Sequence, residues 1–238
     1  MEERYVNDPV LLTALIIGAV LMCILTALQM KWYQVPVWKS AVVSAAMIGT
    51  GLIGSEVWFY LENGYWEGRS FYGAVFLCPL TFFFVAKLLR VRYVHMLDFC
   101  ATAGCLILAV LKIQCMKVGC CQGIVLYVNE SHMYVHFPSS IMEFICALIL
   151  TAVLLVLSHN IKYRGWLYPL TLILYGGVRF ILNFFRDDWG RAEQMNLPMP
   201  IGNFWSLAAV IAGIVWIVLK KRRLKSSSDT EAEDAGDH

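Results

Sequence analysis

Charged residues are scarce in this sequence: they make up 15% of its 238 residues, whereas hydrophobic residues make up 59%. That balance excludes an ordinary soluble domain, in which about a quarter of the residues are charged. Two further patterns are missing, namely an internal repeat and the alternating segments of a membrane β-barrel. A helical membrane protein is the economical solution that remains, because a helix satisfies its own backbone hydrogen bonds in lipid.

Seven apolar runs fit this solution. Each is long enough, or nearly so, to cross the ~30 Å hydrocarbon core of a bilayer. They lie near residues 10–29, 41–61, 70–89, 96–114, 139–158, 165–184 and 201–219. We expect an all-α integral membrane protein with seven transmembrane helices, in which residues 1–219 form a single membrane domain. Small loops at residues 62–69, 115–138 and 186–200 are expected on its outer face.

Basic residues are distributed unevenly between the two sides of this predicted bundle. Twelve of the 19 lysines and arginines follow the first, third, fifth and seventh apolar runs. The positive-inside rule therefore predicts an N-terminus outside and a C-terminus in the cytoplasm, an alternation that an even number of spans would spoil. No small-residue cleavage site follows the first run, which favours a retained helix over a signal peptide.

The C-terminal segment, residues 220–238, begins with the basic sequence "KKRRLK" and ends in an acidic tail. The basic part is typical of a stop-transfer segment that contacts lipid headgroups. The acidic part has almost no apolar residues to bury, so the sequence predicts that it is disordered.

Arg179, Asn183 and Arg186 are spaced i, i+4 and i+7 in the segment "YGGVRFILNFFRDD", at the end of the sixth run. On a continuous helix this spacing places them on one stripe. Two guanidinium groups near the outer interface suit a phosphate, because arginine presents a planar fork of donors to anionic oxygens. The alternative is structural: Arg179 pairs with Glu143 or Glu56, and Arg186 merely extends its charged end towards the interface.

Glu143, Asp98 and Lys112 are the other ionisable groups that stand out in or beside the apolar runs. Charges in hydrocarbon are costly and usually functional. Glu143 follows a proline and two serines, so a first-turn acid that complements the helix dipole is an equally good interpretation. Asp98 is expected on the cytoplasmic side, away from the arginines, whereas Lys112 ends the fourth run on the outer side.

The segment "LKIQCMKVGCCQGI", residues 111–124, ends the fourth run with three cysteines. The residues alone are consistent with a metal site, a redox pair or a tight structural turn. A metal site lacks a well-spaced fourth ligand, and adjacent cysteines are not the usual form of a redox pair. An oxidising compartment would permit a disulfide among Cys115, Cys120 and Cys121, while the two glycines at 119 and 123 favour a turn with close backbone approach.

Five segments in order resemble the prolipoprotein diacylglyceryl transferase family over about residues 55–215. "GRSFYGA" is similar to the family's histidine-glycine-glycine segment, and "KIQCMKVGCCQG" to a cysteine-rich form of its signature. "FPSSIMEF" resembles its His-Pro-Thr-Gln-Leu-Tyr-Glu helix start, "YGGVRFILNFFRDD" its arginine helix, and "MPIGNFWSL" its Gly-Gln-X-X-Ser entry into the last span. Any one match is weak, whereas five in sequence are fairly specific.

The resemblance implies a bacterial cytoplasmic-membrane enzyme whose active face points outward. It implies transfer of a diacylglyceryl group from phosphatidylglycerol, or a similar anionic phospholipid, to the lipobox cysteine of a prolipoprotein, with release of glycerol 1-phosphate. Membrane lipids and the prolipoprotein are the implied partners, nucleic acid is not, and no metal or organic cofactor is required. The implied catalytic residues are Arg179, Tyr72 and Lys112, and the implied substrate-binding residues are Arg186, Glu143, Asn183, Gly119, Gly123 and Asn203. A disulfide from Cys115 to Cys120 or Cys121 is implied as a staple.

The sequence departs from the family pattern at several of these positions. Tyr72 stands where the family has histidine, Lys112 where it has arginine, and Asn183 where it has glutamate. A tyrosine, with an ordinary pKa near ~10, is a poor base at neutral pH. Two alternatives therefore stay open: a diverged phospholipid-handling paralogue with another acceptor or no transfer activity, and a membrane thiol oxidoreductase built on the three cysteines.

Overall fold

The computed structural model describes residues 9–66, 70–119, 123–128, 134–186 and 196–236. Seven α-helices and one short two-stranded sheet occur in these ranges. In chain order they are α1 (Pro9–Trp32), α2 (Lys39–Asn63), α3 (Phe71–Leu89), α4 (Tyr93–Val118), β1 (Val125–Val128), β2 (Tyr134–His136), α5 (Ser139–His159), a 3-10 turn (Ile161–Tyr163), α6 (Leu167–Asn183) and α7 (Ile201–Gly236).

Six of the seven helices are long and apolar enough to cross a membrane. The helix at the sixth predicted span, α6, has 17 residues. At 1.5 Å per residue it extends about 25 Å, less than the ~30 Å of a hydrocarbon core. The helical membrane architecture predicted from the sequence is therefore confirmed, whereas the number of seven spans and the orientation of the termini stay predictions.

The outer surface of the bundle is apolar, as lipid contact requires. Large hydrophobic side chains such as Leu88, Val156 and Ile53 are 76%, 73% and 66% exposed. An exposed apolar surface of this extent is unsuited to water and marks a membrane-facing surface. The chain is a multi-pass membrane protein.

The central element is α4, which packs against α1, α3, α5 and α6. It is also the most buried of the six long helices. The first half of α4, which is predicted to lie towards the cytoplasm, supplies Met96, Leu97 and Phe99 to the main core. Phe82 of α3 and Leu154 of α5 belong to the same core. This central position explains why the polar residues at both ends of α4 lie inside the protein.

Small residues allow the peripheral helices to approach one another closely. A Cβ atom added at Gly73 of α3 would collide with the carbonyl oxygen of Gly54 in α2. A Cβ atom at Gly176 of α6 would lie 2.9 Å from the carbonyl oxygen of Ser206 in α7. Small residues at helix contacts are the usual packing device in membranes, where burial of apolar area gives no net drive between helices.

Asp98, near the start of α4, fixes the beginning of α6. Its Oδ1 accepts a hydrogen bond from the backbone N–H of Leu167 at 3.0 Å, and its Oδ2 accepts one from the backbone N–H of Gly165. The Tyr33 hydroxyl donates to Oδ2 at 2.9 Å. Burial, and then the neighbouring carboxylate, raise the pKa of the Tyr33 phenol well above its ordinary value, so it remains a donor. Asp98 therefore acts as a cap for the start of another helix.

Two details differ from the sequence-based expectation. The loop predicted at residues 115–138 contains the antiparallel pair β1–β2, in which Val125 lies opposite His136 and Val128 opposite Tyr134. The acidic tail, predicted to be disordered, continues α7 as far as Gly236. Extending a helix that is already formed needs no new nucleus, and the tail contains good helix formers at Glu231, Ala232, Glu233 and Ala235.

Candidate active site

Glu143 is the centre of a buried ionic cluster at one end of the bundle. Only 4% of its surface is exposed. Its carboxylate contacts the Lys112 ammonium and the Arg179 guanidinium, and Nη1 of Arg186 lies 3.6 Å from Oε1. The three basic side chains are predominantly buried as well. Three cations around one carboxylate leave this cluster with a formal charge of +2.

Four separate parts of the chain contribute to the cluster. Lys112 comes from the last two turns of α4, Glu143 from the second turn of α5, and Arg179 from the last two turns of α6. Arg186 follows α6. Since α4 and α6 end where α5 begins, the antiparallel packing of the bundle brings these residues to the same end. The sequence offered Glu143 or Glu56 as a partner for Arg179, and the structure selects Glu143.

Arg186 reaches Glu143 by a route that the sequence spacing did not predict. The helix α6 ends at Asn183, so Arg186 does not continue the predicted helical stripe. The backbone N–H groups of Phe184, Phe185 and Arg186 each bond to the carbonyl three residues earlier, which tightens the chain into a 3-10-like turn. Arg186 then forms an isolated β-bridge with Gly123. The turn and the bridge thus fix the backbone of Arg186, which carries the guanidinium to Glu143.

Gly119 and Gly123 have backbone roles in the structure. Gly119 ends α4 in the left-handed conformation, with φ of 71°, and its N–H donates to the Cys115 carbonyl at 2.9 Å. A Cβ atom at Gly123 would collide with the carbonyl oxygen of Phe137 and lie 2.8 Å from that of Phe185. Glycine is required where the backbone turns left-handed or approaches this closely. The left-handed helix end at Gly119 and the close backbone approach at Gly123 agree with the predicted use of glycine. Residues 120–122 lie outside the described residues, and substrate binding by these glycines stays a prediction.

A second buried polar group lies around Tyr72, in the first turn of α3. The Tyr72 hydroxyl lies 2.5 Å from Oγ of Ser206 and donates to the Gly202 carbonyl at 3.2 Å. Ser206 also donates to the Gly202 carbonyl, at 2.7 Å. Nδ2 of Asn183 lies 3.5 Å from Oγ of Ser206. The start of α7 is thereby tied to the start of α3 and the end of α6.

A hydrogen bond between the side chains of Tyr72 and Arg179 joins this group to the ionic cluster. The structure therefore brings together Tyr72, Lys112, Glu143, Arg179, Asn183 and Arg186. Asn203, also predicted as a site residue, is buried in the first turn of α7. The sequence-based assignment missed Ser206, although it belongs to the "MPIGNFWSL" motif. A serine in an apolar run is too common a feature to stand out without its neighbours.

The predicted disulfide lies mostly outside the described residues, because Cys120 and Cys121 do. Of the three cysteines only Cys115, near the end of α4, is described. The disulfide therefore stays a prediction. His136 of the same outer segment is described, and its Nδ1 lies 2.9 Å from the carbonyl oxygen of Gly123. That contact gives this histidine a role in supporting the turn.

An apolar recess of about 260 Å³ lies at the start of α7. It is lined by Glu62, Leu197, Ile201, Phe204 and Trp205. Trp205 directly precedes Ser206 in α7, so the recess and the Tyr72 group share the first turns of that helix. An amphipathic ligand needs this combination of a charged cluster and an adjacent apolar surface.

Comparisons with known proteins agree with the motif order. The family model for prolipoprotein diacylglyceryl transferase matches residues 10–219. Over 88 residues the chain is also 33% identical to a protein of Idiomarina loihiensis named phosphatidylglycerol–prolipoprotein diacylglyceryl transferase. That match covers 37% of this chain and 33% of the relative, so the aligned part spans about a third of the relative's length.

Proposed function

Since the chain belongs to the prolipoprotein diacylglyceryl transferase family, we propose that it transfers a diacylglyceryl group from phosphatidylglycerol to the lipobox cysteine of a prolipoprotein. Glycerol 1-phosphate is the second product. The observation that carries this proposal is the buried cluster in which Lys112, Arg179 and Arg186 surround Glu143. A surplus of two positive charges inside an apolar bundle is stabilised by an anionic ligand.

The charge of the cluster also suits the reaction. The cysteine thiol first loses its proton to water, and the thiolate forms a bond from sulfur to the glycerol carbon of the diacylglyceryl group. The bond from that carbon to the phosphate oxygen breaks, and its electron pair leaves with the phosphate. A phosphodiester with one negative charge thus becomes a monoester with up to two. Fixed cations stabilise the additional charge as it develops, which lowers the barrier.

The three basic residues bind the phosphate in different ways because their side chains differ in shape. Arg179 and Arg186 present planar forks that match two phosphate oxygens, whereas Lys112 acts as a compact point charge. Glu143 holds all three in place and prevents their mutual repulsion from opening the site. Tyr72 contacts both Arg179 and Ser206, and its proposed role is to position the reacting groups beside the arginine.

We also propose the finer topology and location: seven spans, an outward active face and a bacterial cytoplasmic membrane. The ionic cluster lies at the bundle end where α3, α5 and α7 begin, while 12 of the 19 basic residues follow predicted spans at the other end. The positive-inside rule assigns that other end to the cytoplasm. A prolipoprotein acceptor that reaches the enzyme from outside the cytoplasm fits this arrangement.

A second function is favoured by one observation, the replacement of the family histidine by Tyr72. A phenol is a weaker base than an imidazole at neutral pH. A paralogue that binds an anionic phospholipid but uses another acceptor, or transfers nothing, would keep the cationic cluster and tolerate this change. The two functions differ in what happens to a lipobox peptide.

The test uses purified protein in detergent, phosphatidylglycerol labelled in its glycerol headgroup, and a synthetic lipobox peptide. The proposed function predicts release of labelled glycerol phosphate together with a mass gain on the peptide cysteine. Arg179→Ala should abolish both signals. Arg222→Ala is the matched control, because it removes an exposed arginine that lies about 30 Å from the start of α7. It should leave both signals unchanged.

Other outcomes assign the function differently. Headgroup release without peptide modification would support the paralogue with another acceptor. Neither signal, from protein that unfolds cooperatively on heating, would refute both the transfer and the release of the headgroup.

A further inference from the structure

Asn203, in the first turn of α7, carries a buried carboxamide. Its exposed surface is 0%, and neither Oδ1 nor Nδ2 has a hydrogen-bond partner within the described ranges. The large majority of buried polar side-chain atoms in proteins are paired, so an orphaned donor and acceptor on one side chain require an explanation. Asn183 provides the contrast, because its Nδ2 bonds to Ser206.

The position of Asn203 in α7 shows which way this carboxamide faces. Asn203 and Ser206 are three residues apart on a helix, so they share a face. Ser206 on that face contacts Tyr72 of α3 and Asn183 of α6. The backbone N–H of Asn203 donates to the Pro200 carbonyl at 2.8 Å, which orders the first turn around it. The carboxamide is therefore held on the side of α7 that meets the candidate active site.

The two orphaned atoms define the chemistry of a complementary ligand. A carboxamide offers an acceptor oxygen and a donor nitrogen. Phosphate oxygens only accept, and would satisfy the nitrogen alone. An ammonium group only donates, and would satisfy the oxygen alone. A hydroxyl group both donates and accepts, so it can satisfy both sides of the carboxamide.

We propose that Asn203 is a specificity-determining residue that binds a headgroup hydroxyl of the donor lipid, so that the site selects phosphodiester lipids with a polyol headgroup. This inference rests on the proposed function, because it assigns the lipid phosphate to Lys112, Arg179 and Arg186. The cationic cluster then recognises the charge that all anionic phospholipids share, while Asn203 distinguishes among their headgroups.

The experiment compares two lipids of equal charge, phosphatidylglycerol and phosphatidylpropanol, of which the second has no headgroup hydroxyl. Binding of short-chain forms to the full-length protein in detergent is measured by isothermal titration calorimetry, and transfer to the lipobox peptide is measured in parallel. We expect the wild type to bind phosphatidylglycerol about 10- to 100-fold more tightly, as loss of a hydrogen bond to a buried group implies.

Asn203→Leu keeps the approximate size of the side chain and removes both polar atoms. It should weaken phosphatidylglycerol binding to the level of phosphatidylpropanol, and leave phosphatidylpropanol binding within about twofold of the wild type. Asn203→Gln restores a carboxamide and should recover part of the preference. Ser44→Ala is the matched control. Ser44 is a buried serine of α2 whose hydroxyl also has no hydrogen-bond partner in the part of the chain that the structure describes, and the substitution should change neither affinity.

The outcomes separate this inference from the proposed function. A preference for phosphatidylglycerol that Asn203→Leu abolishes supports the inference even if no peptide is modified, in which case only the transfer reaction fails. Equal weakening of both lipids by Asn203→Leu would show a structural role and overturn it, with transfer still intact in the wild type. A wild type that binds both lipids equally, or neither, also overturns it.

Discussion

The hydroxyl of Tyr72 lies 2.5 Å from Oγ of Ser206, a residue 134 positions further along the chain. This contact joins the first turn of α3 to the first turns of α7, and Arg179 also interacts with Tyr72. Tyr72, which replaces the family histidine, therefore has partners in two other helices, α6 and α7. It is integrated into the polar network beside the ionic cluster.

Removal of the hydroxyl with Tyr72→Phe tests this integration. Because Ser206 keeps its bond to the Gly202 carbonyl, we expect a loss of only about 0.5–1.5 kcal/mol in unfolding free energy. Transfer should fall more, by roughly 10- to 100-fold, if the hydroxyl positions the reacting groups. Thermal unfolding and the peptide assay measure the two effects. Tyr60→Phe, at an exposed tyrosine, should change neither, and unchanged transfer in Tyr72→Phe would remove that residue from the site.

Glu143→Gln should destabilise the protein strongly. The substitution keeps the shape of the side chain and leaves three cations without their shared carboxylate, which for a buried pair costs about 3–5 kcal/mol. Addition of Lys112→Met should restore part of that loss, because it removes one of the repelling charges. The measurement is thermal unfolding of the single and double variants. A single variant as stable as the wild type would contradict a structural role for the carboxylate.

Gly73→Ala should destabilise the contact between α2 and α3. The added methyl group would overlap the carbonyl oxygen of Gly54, which belongs to the backbone and cannot move aside alone. Overpacking of this kind costs roughly 1–3 kcal/mol. Gly177→Ala is the control, because nothing lies within 4 Å of its added Cβ. There alanine should be neutral, or stabilise α6 by up to about 1 kcal/mol. Equal effects at both glycines would refute the close approach.

Asp98→Asn should weaken the start of α6. The amide nitrogen would replace one carboxylate oxygen and face donors. Either Leu167 N–H, or both Gly165 N–H and the Tyr33 hydroxyl, would then lose an acceptor. Bonds to a charged acceptor are worth about 1.5–3 kcal/mol each, so a loss of that size is expected. Tyr33→Phe removes a single donor and should cost less. The ratio of phosphatidylglycerol to phosphatidylpropanol binding should stay unchanged, since Asp98 lies at the opposite end of the bundle from Glu143.

Replacement of Cys115, Cys120 and Cys121 by serine separates the transferase from a thiol oxidoreductase. The transferase needs no thiol of its own, so transfer to the peptide should persist, with lower thermal stability at most. An oxidoreductase would lose all activity. Transfer assays at 25 °C and unfolding curves with and without a reductant give the answer. Complete loss of transfer in a folded triple variant would place a cysteine in the reaction.

Much of the architecture followed from local properties of the sequence. Runs of apolar residues locate helices in lipid because each helix satisfies its own backbone, with no help from distant residues. Six predicted spans both start and end within a few residues of the observed helices. The last run was the exception at its C-terminal end, where helix propensity and an existing helix extended α7 beyond the apolar run.

The sequence also determined which residues were candidates for the site. A charged residue inside an apolar run has a high energetic cost in lipid, so it is usually functional. Only the tertiary structure decided their partners. It selected Glu143 as the common partner of Lys112, Arg179 and Arg186, placed Arg186 by a turn and a β-bridge, and gave Asp98 to the start of α6. It also brought Ser206 to Tyr72 and left the Asn203 carboxamide buried with no hydrogen-bond partner among the described residues. These relationships depend on which faces of the helices are in contact. The contacts form between helices that are distant in sequence, and they are determined by the packing of small residues and the pairing of buried polar groups.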